Sequence, residues 1–214
     1  EFLGVSFELN RWWRKRLFKP YLAAAFRITV RDTSSLAFLA SLGIHAELVD
    51  DFAFHAPFAV FSTPICHSDP SASLEMTKTV RDNKKISLAL CRWGLGREQI
   101  KALRTFIQQY RNKGFEMGGL AFQTIEDNDR KVFARIDPIL PVISDPDQVL
   151  HELANSRLLI GMRYHSLVLA LRMNIPFIAL AYQEKVSALM RDQGMENRMI
   201  PIQKLDDKTL VSRA

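Results

Sequence analysis

Arg163 and His165 are the residues best placed to do chemistry, in the run Gly161-Met162-Arg163-Tyr164-His165-Ser166. The run joins the apolar segment Leu158–Ile160 to a stretch with helical spacing, so it reads as a strand-to-helix turn. Amides at a helix start have no partners within the helix, and the dipole there favours an anion. Arg163 adds a planar, permanently charged fork matched to carboxylate or phosphate. His165 adds the side chain that exchanges protons most readily near neutral pH. Taken alone, such a pattern more often holds a surface ion-pairing arginine and a capping or core histidine.

Four further groups stand where strands end. In Tyr182-Gln183-Glu184-Lys185, Lys185 falls near a helix start, where a cation is mildly unfavourable unless an anion neutralises it. In Cys91-Arg92-Trp93-Gly94-Leu95-Gly96, the glycines permit close backbone approach to a ligand and Arg92 offers a second anion-binding arm. Trp93 is expected to pack more than to stack. No Lys-Ser/Thr follows these glycines, so the segment is not a P-loop. In the first half, Arg31 and Asp32 end a strand, and Asp32 is expected to cap the following helix rather than catalyse. Asp50 and Asp51 follow another strand and either orient a sugar or shape a turn.

These groups require a βα frame. The pattern predicts a strand at Phe2–Phe7, an amphipathic helix with a basic face at about Glu8–Ala25, and a strand at Arg27–Arg31. A helix from Asp32 to Leu42 follows, ended by Gly43, and then a strand at Ala46–Val49. From His55 to Lys84, prolines, serines and charged residues interrupt the alternation and read as a connection between domains. Alternation then resumes, with strands at Lys85–Arg92, Phe115–Phe122, Pro138–Ile143, Leu158–Gly161 and Pro176–Ala181. The intervening helices are Arg97–Lys113, Asp127–Ile136, one opened by Asp145-Pro146, Tyr164–Met173 and Glu184–Gln193. The predicted class is α/β with doubly wound parallel sheets. The predicted divisions are residues 1–56, the remainder of an amino-terminal Rossmann-like domain; 57–84, a linker; and 85–214, a carboxyl-terminal Rossmann-like domain. In such sheets ligands bind beyond the carboxyl ends of the strands, which in the second domain points to Arg92–Trp93, Gln123–Asp127, Gly161–His165 and Tyr182–Lys185.

Composition narrows the function. Among 214 residues, 48% are hydrophobic and 24% charged, the balance of an ordinary folded protein rather than a disordered one. No apolar run approaches the ~18 residues of a membrane span, and no stretch resembles a signal peptide. The two cysteines, Cys66 and Cys91, have no metal-binding spacing and read as free thiols of a reducing compartment. The five histidines are scattered, so a zinc site is not expected. No Gly-x-Ser-x-Gly elbow occurs, which argues against an α/β-hydrolase. The net charge of +6 invites an acidic partner: nucleic acid, an anionic membrane or a phosphorylated substrate.

Taken together, the motifs resemble those of the polysaccharide pyruvyl transferase family. Met162-Arg163-Tyr164-His165-Ser166-Leu167 is similar to the family's Met-Arg-Leu-His helix start, with tyrosine where leucine is usual. Ile175-Pro176 and Tyr182-Gln183-Glu184-Lys185-Val186 resemble its next strand, with Gln183 where an acidic residue is frequent. Ile28-Thr29-Val30-Arg31-Asp32-Thr33-Ser34-Ser35, Leu42-Gly43-Ile44, Asp51-Phe52-Ala53-Phe54 and Leu88–Arg92 match in family order. The resemblance implies a two-domain, GT-B-like enzyme with its site between Rossmann-like domains, and an amino-terminal domain truncated in this chain. It implies phosphoenolpyruvate as donor and no cofactor or metal. A polysaccharide sugar (as in exopolysaccharide biosynthesis) or a lipid-linked saccharide would be the acceptor of a pyruvyl ketal.

On that resemblance His165 and Arg163 are the expected catalytic pair. Arg92, Arg31, Lys185, Tyr182 and Asp51 are expected substrate contacts, with Arg92 or Arg31 as the further positive arm. The expected station is the cytoplasm, at the inner membrane face if the basic helix near residues 8–25 makes peripheral contact there. A nucleotide-sugar glycosyltransferase of the same architecture is the first rival. A non-enzymatic basic binding module is the second; no nucleic-acid motif supports it, and nucleic acid is not an expected partner.

Overall fold

The computed structural model describes residues 2–5, 19–49, 83–125 and 128–214, arranged as two compact units. Asp50, Asp51, most of the predicted basic helix and nearly all of the predicted connection at 57–84 lie outside the described residues; residues 19–23 are helical.

The first unit comprises Glu1–Ala56 and Gln183–Glu196. Strands β1 (Phe2–Val5), β2 (Ile28–Val30) and β3 (Glu47–Leu48) form a parallel sheet in that order. Helix α1 (Thr33–Ser41) connects β2 to β3. Its start is fixed locally: the Asp32 carboxylate accepts from the Ser35 amide at 2.7 Å and the Ser35 hydroxyl at 2.9 Å. Asp32 is therefore a cap, as its position predicts. Gly43, at φ +70°, turns the chain out of the helix. Leu22, Ile28, Val30, Leu39 and Ile44 make the core of this unit.

The second unit comprises Pro57–Tyr182 and Asn197–Ala214. Its strands are β4 (Lys85–Ala89), β5 (Glu116–Leu120), β6 (Val142–Ile143), β7 (Leu158–Gly161), β8 (Phe177–Ala181) and β9 (Met199–Pro201). All pair in parallel, in the order β6-β5-β4-β7-β8-β9. The chain builds outward from β4 to β6, returns across β4, and builds outward again from β7. Strand order thus reverses between β4 and β7, the place where doubly wound sheets open a crevice. The helices of this unit are α2 (Arg97–Asn112), α3 (Asp129–Ile136), α4 (Pro146–Ala154), α5 (Tyr164–Arg172) and, after β9, α7 (Asp207–Arg213). Between β8 and β9 runs α6 (Glu184–Asp192), a member of the first unit.

Why these segments are strands is visible in their burial. β8 is buried at every position from Phe177 to Ala181, without the alternation of a half-solvated sheet. Ser87, the buried polar residue of β4, pairs its hydroxyl with that of Ser156 at 2.7 Å, so it enters the core satisfied. α2 buries Ala102, Leu103, Phe106, Ile107 and Tyr110, one stripe of a 3.6-residue helix. Asp145 accepts from the Gln148 amide at 3.0 Å with Pro146 at the first helical position, the predicted start of α4. No helix among the described residues is long and apolar enough to cross a membrane.

Two differences from the sequence reading concern the carboxyl-terminal part. β9 and α7 follow Gly194, where the pattern predicted no further element; Met199–Pro201 is too short for periodicity to reveal. α6 groups with the first unit rather than with residues 85–214. There Thr33 donates to the Asp192 carboxylate at 2.8 Å and Ser34 to the Glu184 carboxylate at 3.4 Å.

Gly161 ends β7 against α5 with no room to spare. A Cβ there would lie 2.7 Å from Leu167 Cδ2 and 3.1 Å from Ser166 Oγ. Gly161→Ala should therefore push the first turn of α5 away from the sheet and cost about 1–3 kcal/mol. A lowered Tm in thermal unfolding is the expected readout.

Candidate functional site

At the carboxyl edge of the second unit, β7 stays joined to β4 beyond its last residue. The Met162 amide donates to the Ala89 carbonyl at 2.8 Å. Met162 is fully buried and anchors the turn in the core, while the next residue, Arg163, is the N-cap of α5 in an extended conformation. Its side chain makes no cap, so the fork is directed to other partners. Its carbonyl accepts from the Ser166 amide at 3.0 Å and the Ser166 hydroxyl at 2.6 Å, which closes the first turn. Tyr164 is buried and packs edge-on against His165 at 5.6 Å between ring centroids; His165 itself is exposed on that first turn.

Arg163 spans from the end of β7 to the start of α3. Its Nε donates to Asp129 Oδ2 at 3.2 Å, and its Nη2 closes a second bond to Oδ1. The Arg163 side chain is 18% exposed and that of Asp129 is 0% exposed. The same carboxylate accepts from the backbone amides of Phe122 at 3.1 Å and Gln123 at 3.0 Å, just past β5. A buried charge is tolerated when it is paired and hydrogen-bonded throughout, as here. Burial alone would lower the pKa of the Arg163 guanidinium. The Asp129 hydrogen bonds and charge, helped by Cys91 and Tyr182, outweigh burial and hold it above its ordinary value.

Asp129 was not anticipated from sequence. The predicted helix began at Asp127, which would place Asp129 within its first turn; the helix opens at Asp129, after an Asn128 cap that accepts from the Arg130 amide at 3.0 Å. The local signal was the asparagine, a preferred capping residue, one position after the predicted start.

Close to this pair lies Cys91, fully buried after β4. Burial pushes its thiol pKa up, and the Asp129 charge adds to this. The Trp93 backbone, the Arg163 charge and a hydrogen bond with Tyr182 offset part of the rise. A thiol held protonated is a poor nucleophile. Arg92 is exposed, with its guanidinium 4.5 Å from the centroid of the half-exposed Trp93 ring. Together with Gly94, Gly96, Gln99 and Gln203 it lines an open concavity of about 510 Å³. Gly94 is required at its position: φ is +76°, and a Cβ would come within 3.0 Å of Ile202 Cγ2 and 3.5 Å of Tyr182 Cβ. The loop after β4 therefore lies close against the residues that follow β8 and β9.

The second unit thus gathers Arg163, His165, Arg92 and Tyr182, with Cys91 and Asp129, at its carboxyl edge. Arg31, after β2, and Lys185, in the first turn of α6, belong to the first unit, and both are partly exposed. Asp51 lies outside the described residues. Among the described residues, no group of three or more His, Cys, Asp or Glu is arranged to hold a metal ion.

The model of one protein family, described as polysaccharide pyruvyl transferase, matches residues 2–184. No curated protein matches the chain.

The raised pKa gives a test of the thiol. Cys91 should resist iodoacetamide at pH 7.5 in the folded protein and react on unfolding, as followed by peptide mass spectrometry. Because the folded pKa is raised, the thiol's contribution to stability is complete below the unfolded pKa of about 8.5. It should fall away as pH rises through the folded value.

Proposed function

The chain belongs to the polysaccharide pyruvyl transferase family, and we propose that the carboxyl edge of its second unit binds phosphoenolpyruvate and transfers the pyruvyl group to a sugar as a cyclic ketal. The observation that carries this reading is the Arg163 fork, held at the reversal of strand order beside the first turn of α5. The donor carries a phosphate and a carboxylate, so its capture calls for more than one cationic or amide-rich contact. Arg163 supplies an oriented fork, the positive end of the α5 dipole favours an anion beside it, and Arg92 supplies a second guanidinium from the loop after β4.

In the chemical sequence, a proton is added to the methylene carbon of the donor, and oxocarbenium character develops on the adjacent carbon. A sugar hydroxyl bonds to that carbon. The C–O bond to phosphate then breaks, and a second hydroxyl of the same sugar closes the ketal. Of the two hydroxyl protons, one balances the proton placed on carbon and the other leaves with phosphate. His165, exposed on the first turn of α5, is the group assigned to proton transfer or to the leaving phosphate; Arg163 clamps an anionic group. Tyr182 is assigned a substrate contact in the same unit; Lys185, Arg31 and Asp51 carry the same assignment from their motif positions. The GT-B-like arrangement, the boundaries at 56 and 84, the cytoplasmic station and peripheral membrane contact by the basic helix belong to this proposal too.

A nucleotide-sugar glycosyltransferase is the rival that the strand order favours, since dinucleotide-binding sheets share it. Such sheets place a carboxylate for ribose hydroxyls past the second strand. Among the described residues after β5, the carboxylate of Asp129 is taken by two amides and a guanidinium. The family match is what favours the pyruvyl reading. In thermal-shift assays phosphoenolpyruvate should stabilise the full-length protein and UDP or GDP should not.

The proposal predicts that His165→Ala lowers phosphate release from phosphoenolpyruvate plus acceptor by ~100- to 10,000-fold. Arg163→Ala should lower it by ~100-fold or more, as for a lost charge-stabilising donor. Near-normal release by both variants removes the assignment.

A further inference from the structure

Asp129 has no role in the mechanism above, yet the site is organised around it. Its carboxylate is fully buried and accepts from the Phe122 amide at 3.1 Å, the Gln123 amide at 3.0 Å and Arg163 Nε at 3.2 Å, with a further bond from Nη2. Both oxygens are therefore engaged, Oδ2 by three donors. A carboxylate so enclosed neither reaches a substrate nor accepts a proton from one. Stability alone is a weak reason for it, because a buried ion pair gains little over a well-packed apolar pair once desolvation is counted. What the arrangement does supply is direction. A guanidinium carries its donors in a rigid fork, so fixing the Nε–Nη2 edge fixes the plane of the group and the aim of its other N–H bonds. The carboxylate is itself fixed by two amides of the backbone leaving β5, so the sheet sets the orientation.

Charge points the same way. The carboxylate balances the guanidinium, so the pair as a unit carries no net charge. A fully charged fork would hold an anion more tightly in every pose, including phosphate after the reaction. Catalysis gains only from contacts that strengthen in the transition state.

We propose that Asp129 is a positioning residue: it aims the Arg163 guanidinium at the anionic donor and tempers its charge, so that the group orients the donor rather than merely retaining it. The inference rests on the donor-binding role proposed for Arg163.

Asp129→Asn keeps the shape and an acceptor for the backbone amides but removes the charge. In the full-length protein kcat should fall ~100-fold, the cost of a reacting group displaced by about 1 Å. Affinity for phosphoenolpyruvate and for inorganic phosphate should be no weaker than wild type, since the fork is then uncompensated. A purely structural carboxylate gives a different result: a lower Tm with affinity and kcat lost together, or an intact fold with kcat unchanged. Either of those outcomes overturns the proposal.

A readout independent of turnover separates this inference from the activity it rests on. The Nε–H resonance of Arg163, identified by its absence in Arg163→Lys, should exchange slowly in the wild type and at least tenfold faster in Asp129→Asn. Equal exchange rates sink the positioning role even if the enzyme is a pyruvyl transferase. Faster exchange in Asp129→Asn, together with a wild type that does not bind phosphoenolpyruvate, sinks the activity but not the aiming. Should Asp129→Asn fail to fold, Arg163→Lys decides: it keeps the charge but not the two-bond contact. Wild-type kcat in that variant overturns the proposal, and a large loss of kcat with phosphate affinity kept supports it.

Discussion

One buried carboxylate constrains the carboxyl edge of the larger unit. Asp129 cannot sit at 0% exposure with a negative charge unless donors surround it, and the chain provides them from two places. Two are backbone amides of the turn after β5; the others come from Arg163, 34 residues further on, after β7. Satisfying that charge ties together the loops on either side of β4. The same contacts hold the Arg163 side chain across the reversal of strand order, where a parallel sheet leaves its crevice.

Close packing does the rest of the positioning. Gly161 lets Leu167 come down onto the end of β7, which places the start of α5 and so His165. Gly94 lets the loop after β4 press against Ile202 and Tyr182, which places Arg92 beside its concavity. Neither glycine touches a substrate in this account. Each removes a Cβ that would separate a loop from the sheet edge, and functional side chains inherit their positions from that approach. Arg163 and His165 are thereby presented by rigid elements rather than by long loops.

Much of this was legible in the sequence because the signals are local. The Asp32 cap, the Asp145-Pro146 start and the turn at Gly43 depend on residues within a few positions of one another, and the structure bears them out. Apolar runs bounded by helical stretches gave a parallel α/β sheet, and the general rule for such sheets then located Arg163 and His165 at a carboxyl edge. What stayed hidden depends on tertiary pairing. β9 is three residues long and is a strand because β8 lies beside it. Asp129 looked like one acidic residue among several near a helix start, since nothing local says that a guanidinium from β7 will arrive above it. The grouping of α6 with the first unit likewise follows from side-chain bonds to Thr33 and Ser34, about 150 residues away in sequence.

Family membership indicates the class of enzyme, and the proposed site would meet a doubly anionic donor with an aimed, charge-balanced fork and a second arginine. The most direct test is calorimetric titration of phosphoenolpyruvate into the full-length protein and its Arg163→Ala variant. The account predicts saturable binding to the wild type, weakened about 10- to 100-fold in the variant, as expected for lost hydrogen bonds to a charged group. Equal affinity in the two proteins, or no binding to the wild type, would contradict it.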